Sequence, residues 1–399
     1  MSQSSQPSLH FVLFYHSLIS DWNHGNAHFL RGIAGELLDL GHRVTIYEPH
    51  DGWSARNLRE DQGSAAITAF YTTYPRLRSR FYELASIDLE EVLDDADVVL
   101  VHEWNDPTLV RLVGQHRSRS TRYRLLFHDT HHRMVSEPKQ MDAYDLSNYD
   151  GVLAFGDVLR QLYELRGAAA RAWTWHEAAD ARIFRPVSTG TPKSLDLIWI
   201  GNWGDGERAN ELKEFLIDPV RSLKLEARLH GVRYPEMALR ALEKAHIEYG
   251  GWIANFNVPL AFAQARTTVH VPRRFYREQL PGIPTIRMFE ALACGIPLVS
   301  APWEDTEQLF RPGTDYLVAA DCNAMTRMLR TLINDRDMAE AVSASGRETI
   351  NSRHTCAHRV QELLAILREI DAAHSMHTSA GSDTLEAGFA QRNPATLTS

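Results

Sequence analysis

Short apolar runs alternate with helical segments along most of the chain, and this alternation limits the possible folds more than any other feature. Residues 10–16 form an apolar run, residues 29–38 repeat apolar side chains at intervals of three and four, and residues 43–49 form a second run. Three further runs continue the series, at 95–104, 123–129 and 150–156. Strands separated by helices favour a parallel sheet, because parallel neighbours need a long crossover connection. We therefore predict an α/β fold.

The same alternation restarts after residues 176–194, a segment rich in Pro, Ser, Thr and Gly that we interpret as a linker. Further strands are expected at the start of 194–208 and at 226–232, 247–253, 267–272, 297–302 and 314–319. A chain of 399 residues is long enough to bury two hydrophobic cores. We predict two doubly wound, Rossmann-like domains that face each other across a cleft, at 8–185 and 194–353. An amphipathic helix at 354–372 and a disordered tail at 373–399 are expected to follow.

Composition excludes several classes of protein. Hydrophobic residues make up 44% and charged residues 23% of the chain, as in ordinary globular proteins. The net charge of −9 gives no overall attraction to nucleic acid, so no nucleic-acid partner is expected. Three cysteines without a CxxC pair are typical of reduced thiols, and no apolar run approaches the ~20 residues of a membrane span. We expect a cytoplasmic protein without a transmembrane segment or a signal peptide.

Ligands of open α/β sheets bind beyond the carboxyl ends of the strands, so polar residues at those ends are the first candidates for a site. The segment GNWGDGER (201–208) follows a predicted strand. Gly201 and Asn202 permit close approach of a ligand to the backbone, and Arg208 is suited to a phosphate. The segment matches neither the P-loop nor the dinucleotide-binding pattern, and a plain glycine-rich turn explains it equally well.

The segment FHDTHHRMVSEP (127–138) invites two interpretations. His128, His131 and His132 are residues of the type that most often binds metal ions. However, no cysteine or carboxylate set completes a metal site, and HExxH is absent. Contact with a substrate is the better interpretation, because His128 and Asp129 fall at the end of the strand.

Other strand ends carry polar side chains that also have simpler explanations. Asn23, His24, Gly25 and His28 lie at a helix start that suits an anionic or hydroxyl-rich ligand, although helix capping alone accounts for such residues. Glu103 follows a third strand with the same ambiguity. Arg273 belongs to a basic cluster that is ordinarily solvated surface.

The segment GIPTIRMFEALACG (282–295) is predicted to be a helix that starts at Pro284 or Thr285 and ends at Gly295. Its anomaly is Glu290, a carboxylate among small apolar residues, with Arg287 one turn earlier. Motifs of serine hydrolases, P-loop enzymes, kinases and β-lactamases are absent from the sequence.

Several of these segments together resemble GT-B glycosyltransferases, especially CgeB-like (spore-maturation-type) and family-4-like members. The resemblance rests on RMFEALACGIPLVSAPWEDTEQLF (287–310), PGTDYLVA (312–319) and HTCAHRV (354–360), with support from FHD and HEAADARIFRP. It implies that Glu290 hydrogen-bonds the ribose of a nucleotide-sugar donor and that the final helix braces the two domains. It further implies that a loop faces the phosphates, formed by Gly282, Ile283, Pro284 and Thr285. The cationic partners of the diphosphate would be Arg208, Arg273 and Arg287.

The resemblance implies transfer of a sugar from a nucleotide-diphosphate sugar to a glycan, lipid-linked or small-molecule acceptor, without a metal ion or another cofactor. His128 would contact the sugar or handle a proton, with Asp129 orienting it. One position departs from the family-4 pattern, because Gly282 stands where the first Glu is expected, eight residues before Glu290. A protein that binds a nucleotide sugar without transferring it therefore stays an alternative, as does a nucleotide-sugar epimerase.

Overall fold

The protein is described from a computed structural model that covers residues 7–204 and 206–389. The first domain contains, in chain order, β1 (His10–Phe14), α1 (Ala27–Asp39), β2 (Arg43–Pro49), α2 (Trp53–Thr73), β3 (Ser79–Tyr82), α3 (Leu89–Leu93), β4 (Val98–His102), α4 (Pro107–Arg119), β5 (Arg124–Asp129), α5 (Arg133–Ser136), α6 (Pro138–Met141), β6 (Gly151–Ala154), α7 (Asp157–Arg166) and β7 (Ala172–Thr174). Its seven strands are all parallel, in the order β3-β2-β1-β4-β5-β6-β7.

The second domain repeats this architecture with six strands. Its elements are β8 (Leu195–Ile200), α8 (Ala209–Leu212), a π-helical turn (Lys213–Ile217), α9 (Asp218–Leu223), β9 (Ala227–His230), α10 (Glu236–Lys244), β10 (Ile247–Tyr249), a 3-10 turn (Asn255–Asn257), α11 (Val258–Ala263), β11 (Ala265–His270), α12 (Arg274–Glu278), α13 (Ile286–Cys294), β12 (Leu298–Ser300), β13 (Leu317–Val318), α14 (Cys322–Asn334), α15 (Arg336–Arg353) and α16 (Cys356–Phe389). The strands are parallel, in the order β10-β9-β8-β11-β12-β13.

Both sheets reverse their strand order at one point, and these points locate the site. The chain runs outward from β1 to β3 and then returns to place β4 beside β1. It does the same in the second sheet, where β11 returns to the side of β8. Loops leave such a pair of strands in opposite directions and open a crevice at the carboxyl ends. The α/β fold with two parallel sheets confirms the predicted fold class.

The segment that connects the domains is packed, which corrects its interpretation as a linker over its first half. Trp175, Ala178, Ala179 and Phe184 are all at most 1% exposed. The backbone of Ala179 also forms a bridge with Thr355 just before α16. The high content of polar residues concealed these apolar positions, and the exposed stretch is confined to 185–194, apart from a half-buried residue at 189.

The last helix leaves the second domain and packs on the first. The Trp175 indole donates to the Arg359 carbonyl oxygen at 2.8 Å, and Arg124 Nε donates to the Asp371 carboxylate at 2.6 Å. Val360, Leu363 and Leu367 enter a core that also contains residues of α1. Helix α16 thus extends from the second domain onto the first, and its role as a brace between them stays a prediction.

Helix α16 continues to Phe389, so the prediction that a disordered tail begins at 373 is wrong for residues 373–389. Extension of an existing helix costs little per residue, and no proline interrupts the chain before 389. The loss of apolar periodicity in the sequence indicates where a helix stops packing on a core. It does not indicate where the helix itself ends. The rest of the predicted tail, 390–399, lies outside the described residues. Within the described part of the chain, no helix has the length and apolarity needed to cross a bilayer.

Candidate functional site

A cleft of roughly 360 Å³ lies between the two domains, at the carboxyl ends of the central strands of both sheets. The loop after β1 and residues that follow β2, β4 and β5 form its first wall. The loop after β8, the residues after β11 and the start of α13 form the second wall. The cleft therefore lies where both strand orders reverse.

Arg208 occupies the second wall and is 8% exposed. Its guanidinium donates to the carbonyl oxygens of Asn202 and Val271, at 2.5 and 3.1 Å, and lies 5.1 Å from the ring of Trp199. No described carboxylate is within ion-pair distance of Arg208. Burial, with Arg273 nearby, lowers the pKa of Arg208 to about 9, which leaves it cationic at neutral pH. A buried cation without a counter-charge at a cleft wall is suited to an anionic ligand.

Arg273 and Arg287 line the same wall but have carboxylate partners. Arg273 Nη1 lies 2.7 Å from Glu207 Oε2, and Arg287 pairs with Glu290 one turn later on α13. Burial acts to raise the pKa of Glu207, but hydrogen bonds from His132 and Arg273 outweigh it and lower the pKa to about 2. Arg208, Arg273 and Arg287 thus lie on one side of the cleft, which Arg233 also lines.

Glu290 lies behind this wall. Its side chain is fully buried, and its Oε1 is 2.8 Å from Nδ1 of His28 on α1, so the contact joins the two domains. His28 Nε2 in turn donates to the Ala178 carbonyl oxygen at 3.2 Å. Burial acts to raise the pKa of Glu290, but Arg287 and His28 outweigh it and lower the pKa. Contact with a ribose requires Glu290 to exchange these partners, so that role stays a prediction.

The predicted phosphate-facing loop is divided between the cleft and the core. Pro284 and Thr285 line the cleft, next to Arg287. Ile283 is 0% exposed and belongs to the core of the first domain, where it approaches Gly156. Gly282 has a φ of +91°, and its N–H donates to the Glu304 carbonyl oxygen at 2.9 Å. The turn at Gly282 thus positions the loop, while the two residues after Ile283 reach the cleft.

His128 and Asp129 lie below the cleft and do not line it. The His128 ring packs 4.8 Å from Trp175 and 5.9 Å from Phe29, and burial lowers its pKa to about 3. Asp129 accepts hydrogen bonds from the Tyr163 hydroxyl at 2.7 Å and from the His131 N–H at 3.0 Å. Side chains at the end of a strand alternate between the two faces of the sheet, and both of these enter the packed layers.

Glu103 also lies outside the cleft wall. It is 0% exposed, forms an ion pair with Arg133 and lies 3.3 Å from the Thr130 hydroxyl. Burial and the charge of Asp129 raise the pKa of Glu103 to about 8. Glu103 supports the cleft wall through Arg133, whose guanidinium carbon lies 4.2 Å from the centroid of the Trp104 ring.

The loop after β1 does reach the cleft. Asn23, His24 and Gly25 line it, and Gly201 and Asn202 face them from the second domain. The Asn23 side-chain oxygen accepts a hydrogen bond from the Asn202 side chain across the cleft. A Cβ atom at Gly25 would lie 3.4 Å from Ile286, so the absence of a side chain permits the close approach of the domains.

Several cleft residues were not singled out from the sequence as part of the site. The first wall also contains His16, Trp53, Trp104 and Glu177. His131 and His132 line it too, although the sequence named them only as candidate metal ligands. Trp53 and Trp104 follow β2 and β4 closely, so the strand-end argument would have found them had it not been limited to polar residues. Glu177 lay hidden in the presumed linker.

Glu177 combines burial with an open hydrogen-bonding position. The residue is 4% exposed and lines the cleft, and its Oε1 has no hydrogen-bond partner among the described residues. Burial and the charge of Glu290 raise its pKa well above the ordinary value, against the opposing effect of Arg287. A neutral carboxyl group can donate a hydrogen bond to a ligand hydroxyl. Among the described residues, no cluster of three or more His, Cys, Asp or Glu side chains has the arrangement of a metal site.

Residues 208–365 match the model of a protein family described as glycosyl transferase-like. The fold is similar to sucrose-phosphate synthase from Thermosynechococcus elongatus (14% identity, 92% of this chain, 100% of that one, TM-score 0.63). It is also similar to Anabaena HepE in complex with UDP and glucose (13%, 90%, 100%, TM-score 0.63). An alpha-glucosyltransferase in complex with UDP and DNA is a third similar structure (11%, 91%, 100%, TM-score 0.63).

None of the curated proteins matches this sequence. The fold is that of GT-B glycosyltransferases, with two Rossmann-like domains, and the family match lies in the second domain and the start of α16.

Proposed function

We propose that this protein is a glycosyltransferase that moves a hexose from a nucleoside-diphosphate sugar to the hydroxyl group of an acceptor, without a metal ion. The observation that carries the proposal is that Arg208, Arg273 and Arg287 lie on one wall of the cleft. All three belong to the residues that match the glycosyl transferase-like family. We further propose the CgeB-like or family-4-like subtype, from the sequence between 287 and 319.

The three arginines supply what the leaving group needs. The bond between the anomeric carbon and the phosphate oxygen breaks, and its electron pair stays on the diphosphate. The acceptor oxygen bonds to the anomeric carbon, and its proton leaves to the diphosphate or to water. Fixed cations near the developing negative charge stabilise it without reorganisation. Arg208 is the most important of them in this proposal, because it alone of the three has no carboxylate partner among the described residues.

Glu177 is proposed to bind the transferred sugar. It lines the cleft from the first domain, and its free Oε1 requires a hydrogen-bonding partner. A hydroxyl of the sugar satisfies this requirement. Glu177→Gln is expected to retain more activity than Glu177→Ala, because an amide still donates a hydrogen bond.

A thermal-shift panel of UDP-, GDP-, dTDP- and CMP-sugars tests the proposal. A ligand at 100 times its dissociation constant stabilises the folded state by about 2.7 kcal/mol. Each kcal/mol moves the midpoint by roughly 2–4 °C for domains of this size, so a true donor is expected to raise it by roughly 5–10 °C. UDP-glucose is the first probe, because HepE and the alpha-glucosyltransferase carry UDP in their structures. No response to any sugar nucleotide would contradict the proposal.

Metal independence has its own test. Transfer is expected to continue at the same rate in EDTA, since fixed arginines replace a bound cation in this mechanism. If EDTA abolished turnover and Mg²⁺ or Mn²⁺ restored it, the arginine wall would not be sufficient for leaving-group stabilisation.

One observation favours the alternative of a nucleotide-sugar-binding protein without transfer. Gly282 replaces the first Glu of the family-4 pattern, and Glu290 is engaged by His28 and Arg287. The mass of the products separates the alternatives. Transfer adds a hexose to an acceptor, epimerisation leaves the mass of the sugar nucleotide unchanged, and binding alone yields no product.

A further inference from the structure

The wall that the first domain contributes to the cleft is largely aromatic. The rings of His16 and Trp53 are stacked, with centroids 5.1 Å apart and an interplanar angle of 28°. Trp104 and His131 meet edge to face at 5.0 Å. All four residues line the cleft, opposite the arginines of the second domain. We call this surface, together with His24, the aromatic wall.

Two buried imidazoles of the aromatic wall have free hydrogen-bonding positions. His16 and His24 are 3% and 6% exposed, and Nε2 of each has no partner among the described residues. Burial lowers the pKa of His16 to about 4 and the pKa of His24 well below its ordinary value, so both are neutral at pH 7. A neutral imidazole nitrogen either donates or accepts one hydrogen bond, and a hydroxyl group satisfies both cases.

The charges beside the aromatic wall do not favour an anion. Asp21 is held by Arg31 at 3.0 Å and accepts from the Trp252 indole at 3.0 Å. Arg133, below Trp104, is paired with Glu103. Among the described residues that line the cleft from the first domain there is no lysine or arginine. A phosphate or a nucleic-acid backbone finds no counter-charge on this side.

We propose that the acceptor is an electrically neutral carbohydrate, whose ring stacks on Trp53 or Trp104 and whose hydroxyl groups bond to His16 and His24. The inference rests on the proposed function and names the acceptor class for the same cleft. The C–H face of a sugar ring packs on an aromatic face, while several hydroxyls at its edge satisfy the free nitrogens. A phenolic acceptor fits the stacking but offers fewer hydroxyl groups to the two imidazoles.

The test is an acceptor panel with UDP-glucose as donor, and GDP-glucose in parallel. The acceptors are neutral mono- and disaccharides, glucose 6-phosphate, p-nitrophenol and duplex DNA, and products are identified by mass. We expect hexose addition to neutral saccharides alone or at least ten times faster than to the other three. Faster addition to the phosphate, the phenol or the DNA would overturn the inference.

Substitutions locate the acceptor on the aromatic wall. Trp53→Ala is expected to raise the KM for the saccharide about tenfold, with the KM for the donor unchanged. The matched control is Trp173→Ala, whose indole donates to Glu369 at the far edge strand and is absent from the cleft wall. An unchanged saccharide KM in both Trp53→Ala and Trp104→Ala would overturn the inference.

Donor binding separates the two proposals. A midpoint shift with a sugar nucleotide, together with no transfer to any neutral saccharide, overturns the acceptor class and leaves the donor proposal intact. The absence of a shift with all donors contradicts the proposed function itself. Both readouts come from the same full-length protein.

Discussion

The two walls of the cleft differ in charge and in how their side chains are held. The second-domain wall presents four arginines, Arg208, Arg233, Arg273 and Arg287, and Arg208 is buried without a carboxylate partner among the described residues. The first-domain wall presents neutral aromatic rings with free nitrogens. Two domains with the same strand order have thus acquired opposite chemistry at equivalent strand ends. The topology fixes where a ligand lies, whereas the side chains decide which half of the reaction each domain serves.

The largest effect is expected for Arg208→Ala. Removal of a fixed donor to a developing oxyanion typically costs 10²–10³ in turnover, and we expect a loss of about this size in kcat/KM for the donor. Arg240→Ala is the control, since Arg240 forms an exposed ion pair with Glu236 on α10. Steady-state kinetics and a thermal melt of both variants provide the measurement. If the Arg208→Ala protein folded and turned over normally, the second-domain wall would not be the one that stabilises the leaving group.

Glu290→Gln is expected to lower stability by roughly 1.5–3 kcal/mol, because Arg287 and His28 lose a fully buried carboxylate as their partner. The melting midpoint of the ligand-free protein should fall by several degrees, at roughly 2–4 °C per kcal/mol. Glu340→Gln is the control, since Glu340 forms an exposed pair with Arg336 one turn away. The double variant with His28→Ala measures the coupling between domains.

A different result would restore the role predicted from the sequence. If Glu290→Gln melted normally but bound the donor ten- to a hundredfold more weakly, Glu290 would contact the ribose after all. Calorimetric titration with UDP distinguishes these outcomes.

His128→Ala is expected to affect stability, whereas His131→Ala is expected to affect acceptor binding. His128 packs between Trp175 and Phe29, so its loss should lower stability by a few kcal/mol, as for other buried aromatic truncations. His131 lines the cleft beside Trp104, so its loss should raise the acceptor KM severalfold with little change in the melt. Paired melts and kinetics test this. The reverse pattern would place His128 in contact with the substrate.

The smallest effect concerns pH. Burial lowers the pKa of His16 to about 4 from an ordinary 6.5, and burial together with Arg208 lowers that of His270, on the opposite wall, to about 3. The unfolded chain binds these protons near pH 6.5 while the folded protein does not. Stability is therefore complete above pH 6.5 and falls as the pH drops toward 4.

Removal of one such imidazole should flatten this dependence slightly. Urea midpoints of His16→Gln and His270→Gln between pH 4.5 and 7 measure the change. Equal slopes for the wild type and both variants would mean that these rings take up protons over the same pH range in the folded and unfolded states.

The fold could be predicted from the sequence more fully than the site. β2 lies at the predicted residues, and β5 begins within one residue of its predicted start, because an apolar run flanked by turns has few other conformations. Arg208 and Arg273 were found because their backbone position after a strand is sufficient to bring them to the cleft. His128 satisfied the same rule, but which face of a sheet a side chain occupies depends on packing that one sequence does not reveal. Glu177 was missed because the segment around it has no alternation of apolar and polar residues and was interpreted as a linker, so no strand end was expected there.

The return of α16 to the first domain has a consequence for synthesis of the chain. The core around α1 includes Val360, Leu363, Leu367 and Ile370, which the ribosome makes about 190 residues after β7. At roughly 5–20 residues per second, the first domain must wait about ten to forty seconds for this part of its core. During that interval it exposes an apolar groove to chaperones and proteases. The first domain of the nascent chain therefore lacks part of its core until α16 has been synthesised.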